Sequence, residues 1–290
     1  MTETQTHRLV VPTAELAYDV RANPDSTEPP LLVFGSPMAA SGFGTLAGRF
    51  ADRTVVTYDP RGAERSVRTD GASETTPEEH ADDLHRLIEK LGGGPVDVFA
   101  TSGGAINAFA LVAQHPDDVR TLVAHEPPVA AVVPDAAQAL AAVQGIRRLY
   151  GSEGAGPAMV KFILLVMHQG PVPEGFVEAP APDPSAFGLS AEDDGSRDDV
   201  LLGQNLVTCT HYEPDFEALR AAQTRVVVVV GEGSEGQLAS RAGKVVAERI
   251  GSEAVVFPGD HGGFMGGEHG QTGEPEAFAK ALRQVLDGQG

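Results

Sequence analysis

The residues best placed to do chemistry begin with a serine at a corner. In Pro95–Asn107, Val96, Val98 and Phe99 suit a short buried strand, and the run from Ala105 towards His115 and Pro116 predicts a helix. Ser102, followed by Gly103 and Gly104, stands where one becomes the other. Neighbours with almost no side chain let a serine take the strained backbone of such a turn. A serine hydroxyl is a weak nucleophile at neutral pH, and it needs a base in hydrogen-bonding reach that is itself oriented by a carboxylate. Nine histidines and 41 acidic residues offer candidates for both parts. Which of them serve depends on the elements that carry them.

Those elements alternate. Strands are expected on either side of Pro12–Ala14, at Leu31–Phe34, at Arg53–Asp59, at Val96–Phe99 and at Val119–Ala124. Between the fourth and fifth, Thr76-Pro77-Glu78-Glu79 carries the signature of a capped helix start, and Leu84, Leu87, Ile88 and Leu91 fall on one face before Gly92–Gly94 stop the helix. His80 and His85 on this helix are expected at the surface. From about Val129 to Thr210 the alternation gives way to helices at Ala136–Tyr150 and Pro157–His168, a proline-rich stretch and an acidic, exposed run at Ala191–Asp199. It resumes with the valine-rich strand Arg225–Val230, the helix Leu238–Ile250, the strand Glu253–Phe257 and a last helix, Pro275–Leu286. Strand–helix alternation at this spacing implies an α/β fold with a mostly parallel sheet and helices on both faces. In such sheets the carboxyl ends of the strands line the site.

Composition narrows the partners. The formal net charge of −20, from 21 basic and 41 acidic groups, opposes binding to nucleic acid or to an anionic membrane surface. The single cysteine, Cys209, excludes an intramolecular disulfide and is expected to be packing, and the sequence has neither a Cys/His cluster nor an H-E-x-x-H helix for a metal. No signal peptide or membrane span is read, so a cytoplasmic location is expected.

Three motifs together resemble the α/β-hydrolase family along nearly the whole chain. Ala100-Thr101-Ser102-Gly103-Gly104 is similar to its nucleophile elbow, G-x-S-x-G, with Ala100 for the first glycine. Gly35-Ser36-Pro37 is similar to the end of its His-Gly-x-Pro loop, with Phe34 in place of the histidine. Asp59, Arg61, Gly62 and Ser66 match its Asp-x-Arg-Gly-x-Gly-x-Ser pattern, with Glu64 for the second glycine. The resemblance implies an α/β-hydrolase core over residues 1–128 and 211–290 and a helical cap or lid over 129–210. It implies Ser102 as nucleophile, His261 as base, and oxyanion-hole donors at the backbone NH of Ser36 and Gly103, with Met38 an alternate. Arg61 reads as a structural arginine that pairs with carboxylates beneath the site.

The acid is less determined. The family most often places it about three residues beyond the glycine after the valine-rich strand, where this chain has Ser234 flanked by Glu232 and Glu235. Some members keep it in the turn after the preceding strand, where this chain has Glu126 held by Pro127 and Pro128. Glu126 is the first choice, Glu232 the second and Glu235 the third, while a rival role for Glu126 is as partner of a buried arginine such as Arg61. Met38, Phe162 and Phe264 are expected in the substrate pocket, and Leu164, Met167, Phe176 and Phe187 are further cap residues able to face the serine. The expected function is cofactor-free, metal-free hydrolysis of an ester, lactone, thioester or amide of a small hydrophobic molecule, esterase- or lactonase-like. The alternatives are another reaction of the same scaffold, such as carbon–carbon cleavage, acyl transfer or cyclisation, or a ligand-binding member without turnover. A small-molecule substrate is the partner expected.

Overall fold

The computed structural model describes residues 4–288. Its first hairpin pairs β1 (Thr4–Val11) with β2 (Ala14–Arg21), and β3 (Leu31–Phe34), α1 (Gly44–Gly48), β4 (Val55–Tyr58) and the short β5 (Val67–Arg68) follow. Next come α2 (Pro77–Lys90), β6 (Val96–Thr101), α3 (Gly103–Gln114) and β7 (Val119–His125). After a helical stretch with α4 (Ala136–Glu153), α5 (Ala155–Met167), α6 (Leu206–His211) and α7 (Phe216–Ala221), the sheet resumes with β8 (Arg225–Gly231), α8 (Leu238–Arg249), β9 (Val255–Phe257) and α9 (Pro275–Leu286).

The strands lie in the order β1-β2-β4-β3-β6-β7-β8-β9, with β5 alongside β2. Pairing is parallel from β4 to β9 and antiparallel at the β1, β2 and β5 edge. Both faces are covered because side chains alternate along a strand. Leu32, Val56 and Val98 pack under α2, α3 and α8, whereas Leu31, Val33, Val55 and Phe99 pack under α1 and α9, where Phe278, Leu282 and Val285 form the buried stripe. The uninterrupted apolar run of β3 follows from burial on both sides. α2 begins as expected, with the Thr76 side chain accepting from the Glu79 NH and the Glu79 carboxylate accepting from the Thr76 NH.

Between β7 and β8 the chain builds a separate apolar cluster of Val143, Ile146, Tyr150, Leu165, Leu202 and Leu206, which joins Leu238 and Ala242 of α8. The stretch 191–199 is exposed apart from its end, as its charge suggests. A π-helical turn over Val200–Asn205 running into α6 has no counterpart in the sequence reading. It explains one correction: His80, expected at the surface, is fully buried on α2, with Nε2 2.8 Å from Oδ1 of Asn205 in that turn. Burial pushes its imidazole down to about 4, so the ring is neutral. His85 is half-buried rather than exposed.

The Asp59–Ser66 segment locks the loops beneath the sheet's carboxyl edge. Buried Asp59 accepts from the Ala40 NH at 3.0 Å and from the Arg65 guanidinium at 2.7 and 2.9 Å, tying the loop after β3 to the loop after β4. The Ser66 hydroxyl donates to the Asp59 carbonyl and accepts from the Ala17 NH. Glu64 adopts φ 39°, the left-handed conformation that explains the glycine usual at this place. Arg61 makes a two-point contact with buried Asp83, at 3.0 and 2.7 Å, and donates to Thr13. Truncating one member of such a pair strands a buried charge. Arg61→Ala is therefore expected to destabilise the protein by about 3–5 kcal/mol in urea unfolding; a change within about 0.5 kcal/mol would mean the pair is not holding the loop.

Candidate active site

Ser102 occupies the turn between β6 and α3 with φ 57° and ψ −131°, a conformation that costs a non-glycine residue on the order of 1–3 kcal/mol. Its NH donates to the His125 carbonyl at 2.9 Å, which fixes the bend. The two glycines that follow are required by space. A Cβ on Gly103 would sit 2.6 Å from the Ser36 carbonyl oxygen, and one on Gly104 would sit 2.8 Å from the backbone of Gly35. Ala100 precedes the bend inside β6, where its methyl is buried in the core on the α2 and α3 side, so the missing first glycine leaves the turn intact.

Sheet register brings the other groups to the same edge. Thr101 lies opposite His125 in the parallel β6–β7 pair, so Ser102 and Glu126 are the next residues on adjacent strands. The end of β8 and the loop after β9 come next in the strand order. His261, in that loop, reaches back so that its Nδ1 lies 2.5 Å from Oε2 of Glu126. The other carboxylate oxygen of Glu126 accepts from the Gly231 NH at 2.9 Å. Glu126 is fully buried and His261 about one third exposed. Burial by itself would raise the Glu126 carboxyl, but the hydrogen bond and charge of His261, with the Gly231 NH, bring it down to about 2. A carboxylate buried there is tolerable only because both oxygens are engaged.

The other acidic candidates lie elsewhere. Glu232 and Glu235 are exposed and make no hydrogen bond to His261, and Glu235 lies 4.0 Å from Lys244. Ser234, at the place where the family usually has its acid, is buried with an unpartnered hydroxyl. The carboxylate facing Arg61 is Asp83, so the rival role for Glu126 is not the one it plays.

A cavity of about 440 Å³ opens over this edge, lined by Ser102, His261, Ser36, Gly103 and Met38. Among the described hydrogen bonds, neither the Ser36 NH nor the Gly103 NH has an acceptor in the fold. Phe162 and Phe264 line the walls as expected, with Met167, Leu206 and Leu238. Leu164, Phe176 and Phe187 lie outside the lining, Phe176 facing a second hollow beside α4 and Phe187 partly in solvent. Among the described lining residues His261 is the one ionisable side chain apart from Cys209, whose thiol burial pushes up to about 12. A thiol so placed stays protonated and is not a competing nucleophile.

Several lining or supporting residues escape the sequence reading. Gln237 and Gln271 line the cavity with polar side chains, and nothing in their local sequence marks them. His125 lies beneath the site: its Nδ1 is 2.9 Å from the Thr101 hydroxyl oxygen, and its ring stacks on His261 with centroids 5.8 Å apart. Burial holds it neutral, down to about 4, so it supports His261 without setting a second cation beside it. From the sequence, His125 and His269 are each a far weaker candidate for the base than His261.

The mostly parallel open sheet, the strand–turn–helix at Ser102 and the order serine, glutamate, histidine along the chain define the class: the chain has the α/β-hydrolase fold. Residues 41–155 match the family described as alpha/beta hydrolase fold. The chain is 28% identical to the uncharacterized hydrolase YraK of Bacillus subtilis (strain 168) over 292 aligned positions, covering 96% of this chain and 95% of that one. Among solved structures it is similar to a thermophilic esterase from Thermogutta terrifontis, with a TM-score of 0.68 and 22% identity over 98% of this chain and 99% of the other. It is also similar to the enol-lactonase from Burkholderia xenovorans LB400, with a TM-score of 0.63 and 17% identity over 97% of this chain and 100% of the other.

The Glu126–His261 pair has a pH signature. Because the folded carboxyl is depressed from 4.5 to about 2, its contribution to stability is complete above pH 4.5 and disappears as pH falls towards 2. The melting-temperature difference between the wild type and Glu126→Gln should therefore shrink steadily as pH falls from about 5 towards 2. A difference independent of pH down to 2 would contradict the ionised, engaged carboxylate.

Proposed function

We propose that the protein is a serine hydrolase that cleaves an ester, lactone, thioester or amide bond of a small, uncharged, largely apolar substrate through an acyl-enzyme. The observation that carries this reading is the hydrogen bond between His261 Nδ1 and buried Glu126, with His261 and Ser102 lining one cavity. In the proposed mechanism Nε2 of His261 takes the Ser102 proton as the serine oxygen attacks the acyl carbonyl, and the imidazolium so formed is stabilised by Glu126. The Gly103 and Ser36 amides donate to the oxyanion, and collapse of the tetrahedral adduct expels the leaving group with the proton returned by His261. Water then enters with His261 again as base, releasing the acid and restoring the serine. The residues between β7 and β8, 129–210, act as the cap that shapes the pocket.

Support for hydrolysis comes from the relative named as a hydrolase and from neighbours named as an esterase and an enol-lactonase. Support for an uncharged substrate comes from the lining, in which no arginine, lysine, aspartate or glutamate side chain stands among the described residues. A charged group placed there would lose hydration without a partner.

Ser102→Ala should lose labelling by a fluorophosphonate probe and reduce turnover of short p-nitrophenyl esters by roughly 10⁴-fold or more. Glu126→Gln should keep the labelling site but lower kcat by roughly 10³- to 10⁴-fold, as removal of an orienting carboxylate does in serine hydrolases. Undiminished labelling of the Ser102 variant would overturn the assignment.

A further inference from the structure

At the opposite end of α3 from Ser102, one ligating atom from each of His85, His115 and Asp118 lies within 4.8 Å of the others. His85 comes from α2, and His115 and Asp118 come from the turn between α3 and β7. The two imidazoles stack with centroids 3.8 Å apart and planes 7° from parallel, and His85 Nδ1 is 2.7 Å from Oδ2 of Asp118. Glu89, one helical turn beyond His85, brings a carboxylate oxygen to 3.7 Å from His85 Nε2. We propose that this cluster is a binding site for a divalent transition-metal cation of the zinc class, with His85, His115 and Asp118 as ligands and the fourth position taken by water.

The chemistry selects the cation. Two imidazole nitrogens with one or two carboxylate oxygens are the donor set of zinc and its first-row neighbours, whereas magnesium and calcium take oxygen alone. Binding requires the two rings to turn out of their stack, since each nitrogen lone pair lies in its ring plane, and the donor atoms to settle about 3.3 Å apart, given bonds of about 2.0–2.1 Å, so the 2.7 Å His85–Asp118 pair opens while the wider pairs close. His85 and Asp118 are only partly buried, with side-chain exposures of 25% and 15%, so they can move by that much. The role is to clamp α2 to the end of α3, about 18 Å along that 12-residue helix from the elbow, so the site is separate from the proposed hydrolysis.

Calorimetric titration of the intact, tag-free protein with Zn²⁺ tests this, with Mg²⁺ as control cation and His115→Ala, Asp118→Asn and His261→Ala as variants. One saturable Zn²⁺ site is expected, at least tenfold weaker in the first two variants and unchanged in His261→Ala, with no comparable Mg²⁺ binding. Zn²⁺ should also raise the melting temperature of the wild type but not of His115→Ala. Should that variant fail to fold, His115→Gln carries the same comparison. The proposal is overturned by the absence of saturable Zn²⁺ binding, by equal Mg²⁺ binding, by affinity retained in both cluster variants, or by affinity lost with His261→Ala. An anomalous-scattering peak between the three side chains of a Zn²⁺-soaked crystal would place the ion directly, and a peak elsewhere would overturn the assignment.

Discussion

The arrangement at the sheet's carboxyl edge depends on one hydrogen bond, from His261 in the loop after the last strand to the carboxylate of Glu126. It spans 135 residues of sequence and joins the outermost strand of the parallel sheet to one near its centre. Glu126 is fully buried, and a carboxylate so placed is stable as an anion only if hydrogen bonds replace its lost water. His261 and the Gly231 NH make that replacement, one on each oxygen. The same contacts fix the imidazole: with Nδ1 engaged, Nε2 is the nitrogen free to exchange a proton. In the proposed mechanism stability and proton transfer thus rest on a shared contact.

Around that bond the fold supplies rigid supports. Ser102 is held by the carbonyl of His125, the residue next to Glu126, so the bend and the acid are positioned by neighbouring atoms of one strand. The ring of His125 backs the imidazole of His261 while burial keeps it uncharged. Buried Asp59 ties the loop carrying Ser36 to the turn after β4. The site therefore belongs to the sheet, and the helices between β7 and β8 contribute mainly apolar wall. That division explains how proteins of this fold can differ in substrate while keeping one edge.

The sheet was legible because its physics is local. β3 reads as a buried strand from four consecutive apolar positions, and α2 announced itself through Thr76, Pro77 and Glu79. The positions of Ser102 at the bend and of His261 after the last strand were legible from the strand order. The acid was legible only as a choice among three glutamates, since which carboxylate meets His261 depends on the register of β7 against β6 and β8 rather than on any nearby residue. The burial of His80 was not legible, because its partner Asn205 lies 125 residues away in a π-helical turn with no sequence signature. Gln237 and Gln271 were silent for the same reason: their places in the lining come from tertiary packing.

The central claim is that the imidazole of residue 261 is clamped through Nδ1 by an ionised Glu126. Proton and nitrogen NMR of the protein with ¹⁵N-labelled histidine tests it most directly. The account predicts a strongly deshielded, slowly exchanging Nδ1–H resonance that correlates with His261 and vanishes in Glu126→Gln. A His261 ring in rapid exchange with water, with its proton on Nε2 and its spectrum indifferent to that substitution, would contradict it.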